Sequence, residues 1–273
     1  MILQTKSLSK IDRYNYQQNG YIVVPNLVSP AVIETIRHEM RSIFLKRLEV
    51  LSRSSNLHEK SLYQVMQLLF QTDEKSYLAA AKLTQYLPSI HALGCLPALS
   101  LCLKDLGLHF PVFSTRPVCH FASHKLQITG GYNLTPPHQD WRSVQGSLDS
   151  VVVWIPLQNV GTTLFPLEII PGSHHYGLFK SEEDIFGHRV APDQISEDDF
   201  ITLDLKEGDV LIFSQFLVHK TGDGTVDDVR IALSYRFNNA AEATFIERNY
   251  PNPYIYKPDL TLITPDFPER VSF

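Results

Sequence analysis

The chain has 273 residues, 44% hydrophobic and 11% aromatic, which suffices for a sizeable core and is compatible with one large domain. Its formal net charge of -5, with charges scattered except for the short acidic patch Glu197 to Asp199, leaves no basic footprint for nucleic acid, and no stretch approaches the roughly 20 apolar residues of a membrane span. Cys95, Cys102 and Cys119 lack zinc-type spacing and read as reduced thiols; with no signal-peptide-like apolar run in the first thirty residues, a soluble cytoplasmic protein is expected.

Tyr21-Ile22-Val23-Val24-Pro25, following Gly20, is a β-branched run that predicts a first strand. Ser29-Pro30 then starts a helix, with serine capping and proline in the first turn. Val32, Ile33, Ile36, Met40, Ile43, Phe44 and Leu48 continue it at helical spacing. Further helices are expected over 61–70, over the alanine-rich 74–87 and over 97–106, which ends at Gly107. From about Phe110, short β-rich runs alternate with Gly, Pro and Asn turns, at 112–122, 124–130, 150–158, 164–170, 200–205, 209–214 and 229–238. That spacing predicts a sandwich or open barrel. The proline-bearing remainder reads as an extended tail wrapped on the body. One domain is expected over 1–273: a helical part about 1–109, a β core about 110–240 and a tail about 241–273.

His138-Gln139-Asp140 follows Pro136-Pro137, which holds the segment extended, so the side chains two apart project to one face. A His-x-Asp alone is common in surface turns. Here it is joined by His219, at the end of the run Val210 to Val218 and before the glycine-rich loop 220–224. Two imidazoles and one carboxylate on one face of a ferrous ion leave three positions open, as non-haem oxygenases require. Eleven residues on, Arg230 opens Arg230-Ile231-Ala232-Leu233-Ser234-Tyr235-Arg236-Phe237. Alternation puts Ile, Leu, Tyr and Phe on one face and Arg, Ala, Ser and Arg on the other. An inward arginine is costly unless a carboxylate meets it, and a bound dicarboxylate would do so through a bidentate pair.

These residues resemble the phytanoyl-CoA dioxygenase family of iron- and 2-oxoglutarate-dependent oxygenases. The opening Asn19 to Val28, His138-Gln139-Asp140, Pro171-Gly172-Ser173-His174, Gly208 to Phe213, His219 and Arg230 follow in family order over most of the chain. The resemblance implies a mainly β fold with flanking helices and a double-stranded β-helix (jelly-roll) core. It implies Fe(II) on His138, Asp140 and His219, with the C5 carboxylate of 2-oxoglutarate on Arg230. It further implies Thr221 as a hydroxyl assisting the arginine, Trp154 as a wall of the cosubstrate pocket, and Gln127 as a polar residue on the strand leading to the metal motif. One departure stands out: relatives usually carry Asn-Gly shortly before the Pro-Gly-Ser-His turn, where this chain has Gly161 to Pro166. Related halogenases replace the metal-binding carboxylate with a small residue, so Asp140 argues against halogenation.

Among other candidates, His174 reads as a turn residue rather than a ligand. Tyr132, Asn133, Trp141, Arg142 and Gln145 surround the metal motif and fit either a substrate pocket or ordinary packing. Arg236 fits either an anionic substrate or an ion pair with a structural carboxylate, and the aromatic segment from Tyr250 to Tyr256 fits a docked tail better than a lid. The function expected is a dioxygenase that uses dioxygen and 2-oxoglutarate to hydroxylate a small molecule, with succinate and CO2 released. Two other classes stand beside it: a catalytically inactive small-molecule binder on the same fold and a cupin-type metal-dependent isomerase. The absence of a basic cluster in the sequence argues against taking a CoA thioester as the substrate.

Overall fold

A strand whose residues are apolar on both sides must lie between two layers, and Val151–Pro156 is such a strand. The computed structural model describes residues 7–52, 56–129, 134–254 and 263. Its helices are α1 (Lys10–Asn19), α2 (Pro30–Leu51), α3 (Leu62–Thr72), α4 (Glu74–Thr84), α5 (Pro88–Gly94), α6 (Pro97–Asp105), α7 (Trp141–Val144) and α8 (Ala243–Glu247). The strands begin with β1 (Tyr21–Val24), β2 (Pro111–Phe113), β3 (Val118–Ala122), β4 (Val151–Pro156), β5 (Leu167–Ile169) and β6 (Ser181–Asp184). They continue with β7 (Gly187–Val190), β8 (Ile201–Thr202), β9 (Val210–Ser214), β10 (His219–Thr221) and β11 (Arg230–Asn239).

A six-stranded sheet runs β1-β9-β4-β11-β2, with β3 also paired to β11. A three-stranded sheet runs β10-β5-β8, and β6 and β7 form a separate hairpin. On the larger sheet, Val151, Val153, Ile155, Val210, Ile212, Ile231, Leu233, Tyr235 and Phe237 pack with Ile33, Ile36, Met40 and Phe44 of α2 and with Val65, Met66 and Leu69 of α3. The alternate residues Val152, Trp154, Leu211, Phe213 and Ala232 pack with Leu167 and Ile169 of the smaller sheet. The period-2 geometry of the strand divides one sequence between two cores. Each Val, Ile or Leu so buried contributes about 1.5–3 kcal/mol relative to exposure. The result is mainly β with helices on one flank and a jelly-roll core.

The predicted α2 begins at Pro30, but the Ser29 hydroxyl makes no capping hydrogen bond; the fixed φ of proline starts this helix without it. Ser61, by contrast, forms a reciprocal capping box with Gln64. Helix 74–87 stops at Thr84, and 88–94 forms its own short helix after Pro88. The expected strand over 124–130 is not one: β3 ends at Ala122, residues 123–129 are irregular, and Gly130 lies outside the described residues. The expected run into His219 breaks at Ser214, and β10 starts afresh at His219 in the other sheet. The tail is not wholly extended, because α8 opens with Glu242 accepting from the Thr244 and Phe245 N–H groups. Tyr132, Asn133 and most of the proline-bearing tail lie outside the described residues. Among those described, no single helix is long and apolar enough to cross a membrane.

Gly20 closes α1 in the left-handed region at φ 78, and a Cβ there would meet the His174 ring at 2.4 Å. Gly161, at φ 57, has open space around it. Gly20→Ala should therefore cost about 2–4 kcal/mol, combining left-handed strain with overpacking, whereas Gly161→Ala should cost about 1 kcal/mol. Urea unfolding midpoints check this; equal losses in the two variants would contradict the Gly20–His174 contact.

Candidate active site

Pro136 and Pro137 cannot donate in a ladder, so the segment they begin pairs only where a non-proline N–H returns. It does so at His138. The His138 N–H donates to the His219 carbonyl at 3.0 Å, and the His219 N–H donates to the His138 carbonyl at 3.1 Å. The Thr221 N–H donates to the Thr135 carbonyl at 2.9 Å. This antiparallel pair makes the two histidines direct cross-strand neighbours, with ring centroids 4.1 Å apart. The chain then turns into α7, and Asp140 sits at its start, its carbonyl accepting from Ser143 and Val144.

Between the two outer residues, the Gln139 amide is committed to the backbone of neighbouring segments. Nε2 donates to the carbonyls of Gly177 at 2.7 Å and Phe216 at 2.6 Å, and Oε1 accepts from the Phe179 N–H at 2.8 Å. The middle residue of the motif is thus a staple.

Each ring is oriented by a carbonyl two residues earlier: His138 Nδ1 lies 2.8 Å from Pro136 O and His219 Nδ1 lies 3.0 Å from Leu217 O. A carbonyl only accepts, so each Nδ1 carries the proton and each Nε2 presents its lone pair. Those Nε2 atoms lie 4.0 Å from Asp140 Oδ1 and 3.7 Å from Asp140 Oδ2, respectively. The ligand atoms of all three residues fall within 4.8 Å of one another, and all three side chains are buried.

The electrostatics suit a cation. Burial disfavours imidazolium, which lowers His138 and takes His219 down to about 3. Burial alone would raise the Asp140 carboxyl, but the Arg236 guanidinium, with His219 and His138, outweighs it and holds the group well below the usual carboxylate range. Arg236 donates from Nε at 3.1 Å and Nη2 at 2.8 Å, both to Asp140 Oδ1. Asp140 Oδ2 is buried and has no hydrogen-bond partner among the described residues. Two neutral imidazole nitrogens and one uncommitted anionic oxygen fit a divalent first-row metal, iron included.

Beside this group lies a cavity of about 330 Å³, lined on one side by Trp154, Thr221, Arg230 and Ser234. Arg230 is only 3% exposed. Among the described residues it makes no hydrogen bond or ion pair; its Nε is orphaned, and its Cζ lies 5.6 Å from the Trp154 ring centroid. Burial lowers it to about 10, so it stays charged at neutral pH. Thr221 and Trp154 fall on this cavity as the resemblance implies. Gln127 does not: β3 ends before it, and it is exposed in the irregular segment and is not one of the residues lining this cavity.

The turn 171–174 is structural. The His174 ring rests on Gly20, its Nε2–H donates to the Gln17 carbonyl at 3.1 Å, and Ser173 Oγ accepts from the Val218 N–H at 2.9 Å, next to His219. Trp141 packs on Phe216 and Gln145 caps α7, whereas Arg142 lines the cavity. His120, which the sequence reading passed over, also lines the cavity, with Nε2 2.8 Å from Ser234 Oγ. Its place on β3 opposite Ala232 turns it toward the same face as Arg230, a register between distant segments that the sequence does not show.

Burial also takes His120 down to about 3. In the unfolded chain His120 and His219 titrate near about 6.5, so between that pH and about 3 the unfolded state binds more protons. Stability present above about pH 6.5 should be lost as pH falls through this window. Urea midpoints of metal-free protein at about pH 7.5, 6 and 5 should fall in that order, and His120→Gln should remove about one proton from the linkage. A midpoint that holds constant on acidification would refute the neutral, buried histidines.

The sequence matches the phytanoyl-CoA dioxygenase (PhyH) family over residues 16–232. Peroxisomal phytanoyl-CoA dioxygenase of Bos taurus is 22% identical over 254 residues, covering 85% of this chain and 69% of that protein. Among solved structures, the non-haem monooxygenase ThoJ in its apo form superposes with a TM-score of 0.59 at 16% identity, over 83% of this chain and 76% of the other. EvdO2 from Micromonospora carbonacea var. aurantiaca, in complex with 2-oxoglutarate, gives 0.55 at 15% identity, over 89% and 96%. The matched span contains His138, Asp140, His219 and Arg230, and the chain belongs to the phytanoyl-CoA dioxygenase family.

Proposed function

We propose that this protein is an Fe(II)- and 2-oxoglutarate-dependent dioxygenase that hydroxylates an unactivated C–H bond of a small molecule. Dioxygen, 2-oxoglutarate and R–H would give succinate, CO2 and R–OH. His138, Asp140 and His219 are the iron ligands, the aspartate through Oδ2. Iron, when bound, supplies dioxygen activation coupled to oxidative decarboxylation of the keto acid.

The observation that carries this reading is Arg230, a buried guanidinium with no anionic partner among the described residues. An isolated buried charge costs several kcal/mol, and a carboxylate arriving in the cavity offsets that cost through a charge-assisted, bidentate pair. Thr221 adds a hydroxyl beside it and Trp154 covers its face. Val152, Leu167 and Phe213 provide an apolar wall to the same cavity, which limits water around the reacting groups. A binder without redox chemistry has no use for the three converging donors, and the cupin-type isomerase has no use for a dicarboxylate anchor. The cysteines, none of them in a disulfide, fit the cytoplasm, and all the elements the site needs fit one domain.

Arg230→Gln should raise the apparent Kd for 2-oxoglutarate by about ten- to hundredfold, the scale of one lost charge-assisted interaction. Fe(II) affinity should be unaffected. Arg230→Lys should fall between, because it keeps the charge and loses the fork. His219→Ala should abolish 2-oxoglutarate-dependent succinate release while circular dichroism shows the fold retained. Full activity in that variant would overturn the ligand assignment, and unchanged cosubstrate binding in Arg230→Gln would overturn the anchor.

A further inference from the structure

The sequence has more acids than bases, 29 against 24, yet the cavity reverses that balance. Among its described lining residues are four cationic side chains, Arg142, Lys220, Arg230 and Arg236, and a single carboxylate, Asp140. Three of the four are accounted for. Lys220 pairs with Glu168 at 3.4 Å and with Glu197, and Arg236 pairs with Asp140. Arg230 is the proposed cosubstrate anchor. A divalent metal and a dicarboxylate cancel in charge, so loading the site leaves Arg142 as it was.

Arg142 lies in α7, two residues past Asp140, and is half-buried. Its Nη2 donates to the Phe179 carbonyl at 2.8 Å, and among the described residues it has no carboxylate partner. The Phe179 N–H is itself held by Gln139 Oε1 at 2.8 Å. The metal motif therefore clamps the residue that orients Arg142, which sets the guanidinium in a fixed relation to the metal group. Around it the cavity is finished by Phe186 and His188 from the β6–β7 hairpin and by Tyr254. A pre-oriented guanidinium with unused donors presents the fork geometry that suits an oxyanion.

Resting on the dioxygenase reading, we infer that Arg142 anchors an anionic group, carboxylate or phosphate ester, on the substrate. The site then has two anion anchors: Arg230 for the cosubstrate and Arg142 for the substrate.

The test uses enzyme loaded anaerobically with Fe(II) and 2-oxoglutarate, titrated by calorimetry with phenylacetate, phenyl phosphate and the neutral phenylacetamide. The anions should bind at least about tenfold tighter than the amide, as one charge-assisted pair implies. The stronger of the two anions identifies the group recognised. Arg142→Gln should erase the preference while the Kd for 2-oxoglutarate stays unchanged, and Arg142→Lys should retain part of it. Equal binding of amide and anions, binding by none of the three, or a preference that survives in Arg142→Gln would overturn the inference. If 2-oxoglutarate itself fails to bind the wild type, the dioxygenase reading falls, and the same titrations with Fe(II) alone still decide the anion preference.

Discussion

The reciprocal backbone pairing of His138 with His219 is the constraint on which the candidate site depends. It joins a proline-held segment from before α7 to β10, and β10 is fixed in turn by β5, with His219 opposite Ile169. Because directly paired residues on antiparallel strands share a face, the two imidazoles converge without any flexible linker between them. Asp140 needs only the next two residues to reach the same point. The ligand set is thus a product of strand register, and a slip of one residue would turn a ring away from the other.

Several segments that carry the family resemblance hold no chemistry of their own, and their contacts explain what they do. Gly20 admits the His174 ring, the Gly172 N–H donates to the Asn19 carbonyl at 2.9 Å, and the Val28 N–H donates to the Gly208 carbonyl at 3.0 Å. The Asn26 N–H reaches Asp209 Oδ1 at 3.1 Å. The opening strand, the Pro-Gly-Ser-His turn and the Gly-Asp turn therefore brace one another around β9. Ser173, inside that brace, holds Val218 and so the start of β10. Rigid supports of this kind are what keep metal-ligating rings in one orientation.

What could be read from the sequence was whatever one residue's neighbours in the chain determine. The alternation along β11 separated the helix-facing Ile231, Leu233, Tyr235 and Phe237 from Arg230, Ser234 and Arg236, and the fold keeps that division. The Pro-Pro segment and the His-x-Asp spacing placed two ligand candidates on one side. What could not be read depends on contacts between distant segments. Whether Arg236 meets a substrate or a structural carboxylate is decided by Asp140, 96 positions away. The run up to His219 is apolar on both sides of Ser214-Gln215, and its local pattern does not show that this polar pair is a break that moves His219 into the other sheet. Leu126 is buried although its segment is irregular, which is why 124–130 imitates a strand. The cationic lining of the cavity comes from positions 142, 220, 230 and 236, so it leaves no cluster in the sequence.

Arg230 and Arg236 share one face of β11, yet their fates differ, and that difference organises the chemistry. Arg236 donates twice to Asp140 Oδ1, which keeps the carboxylate ionised before a metal arrives and leaves Oδ2 as the oxygen available for coordination. A buried carboxylate without such a partner would take up a proton and present a weaker donor. Among the described residues Arg230 has no such neighbour, and its buried Nε has no hydrogen-bond partner. One arginine prepares the metal site from within and the other leaves a vacancy in charge for a ligand. A ligand that filled it would lie next to the candidate metal site, because β11 places both guanidinium groups on the cavity that His219 and Asp140 also line.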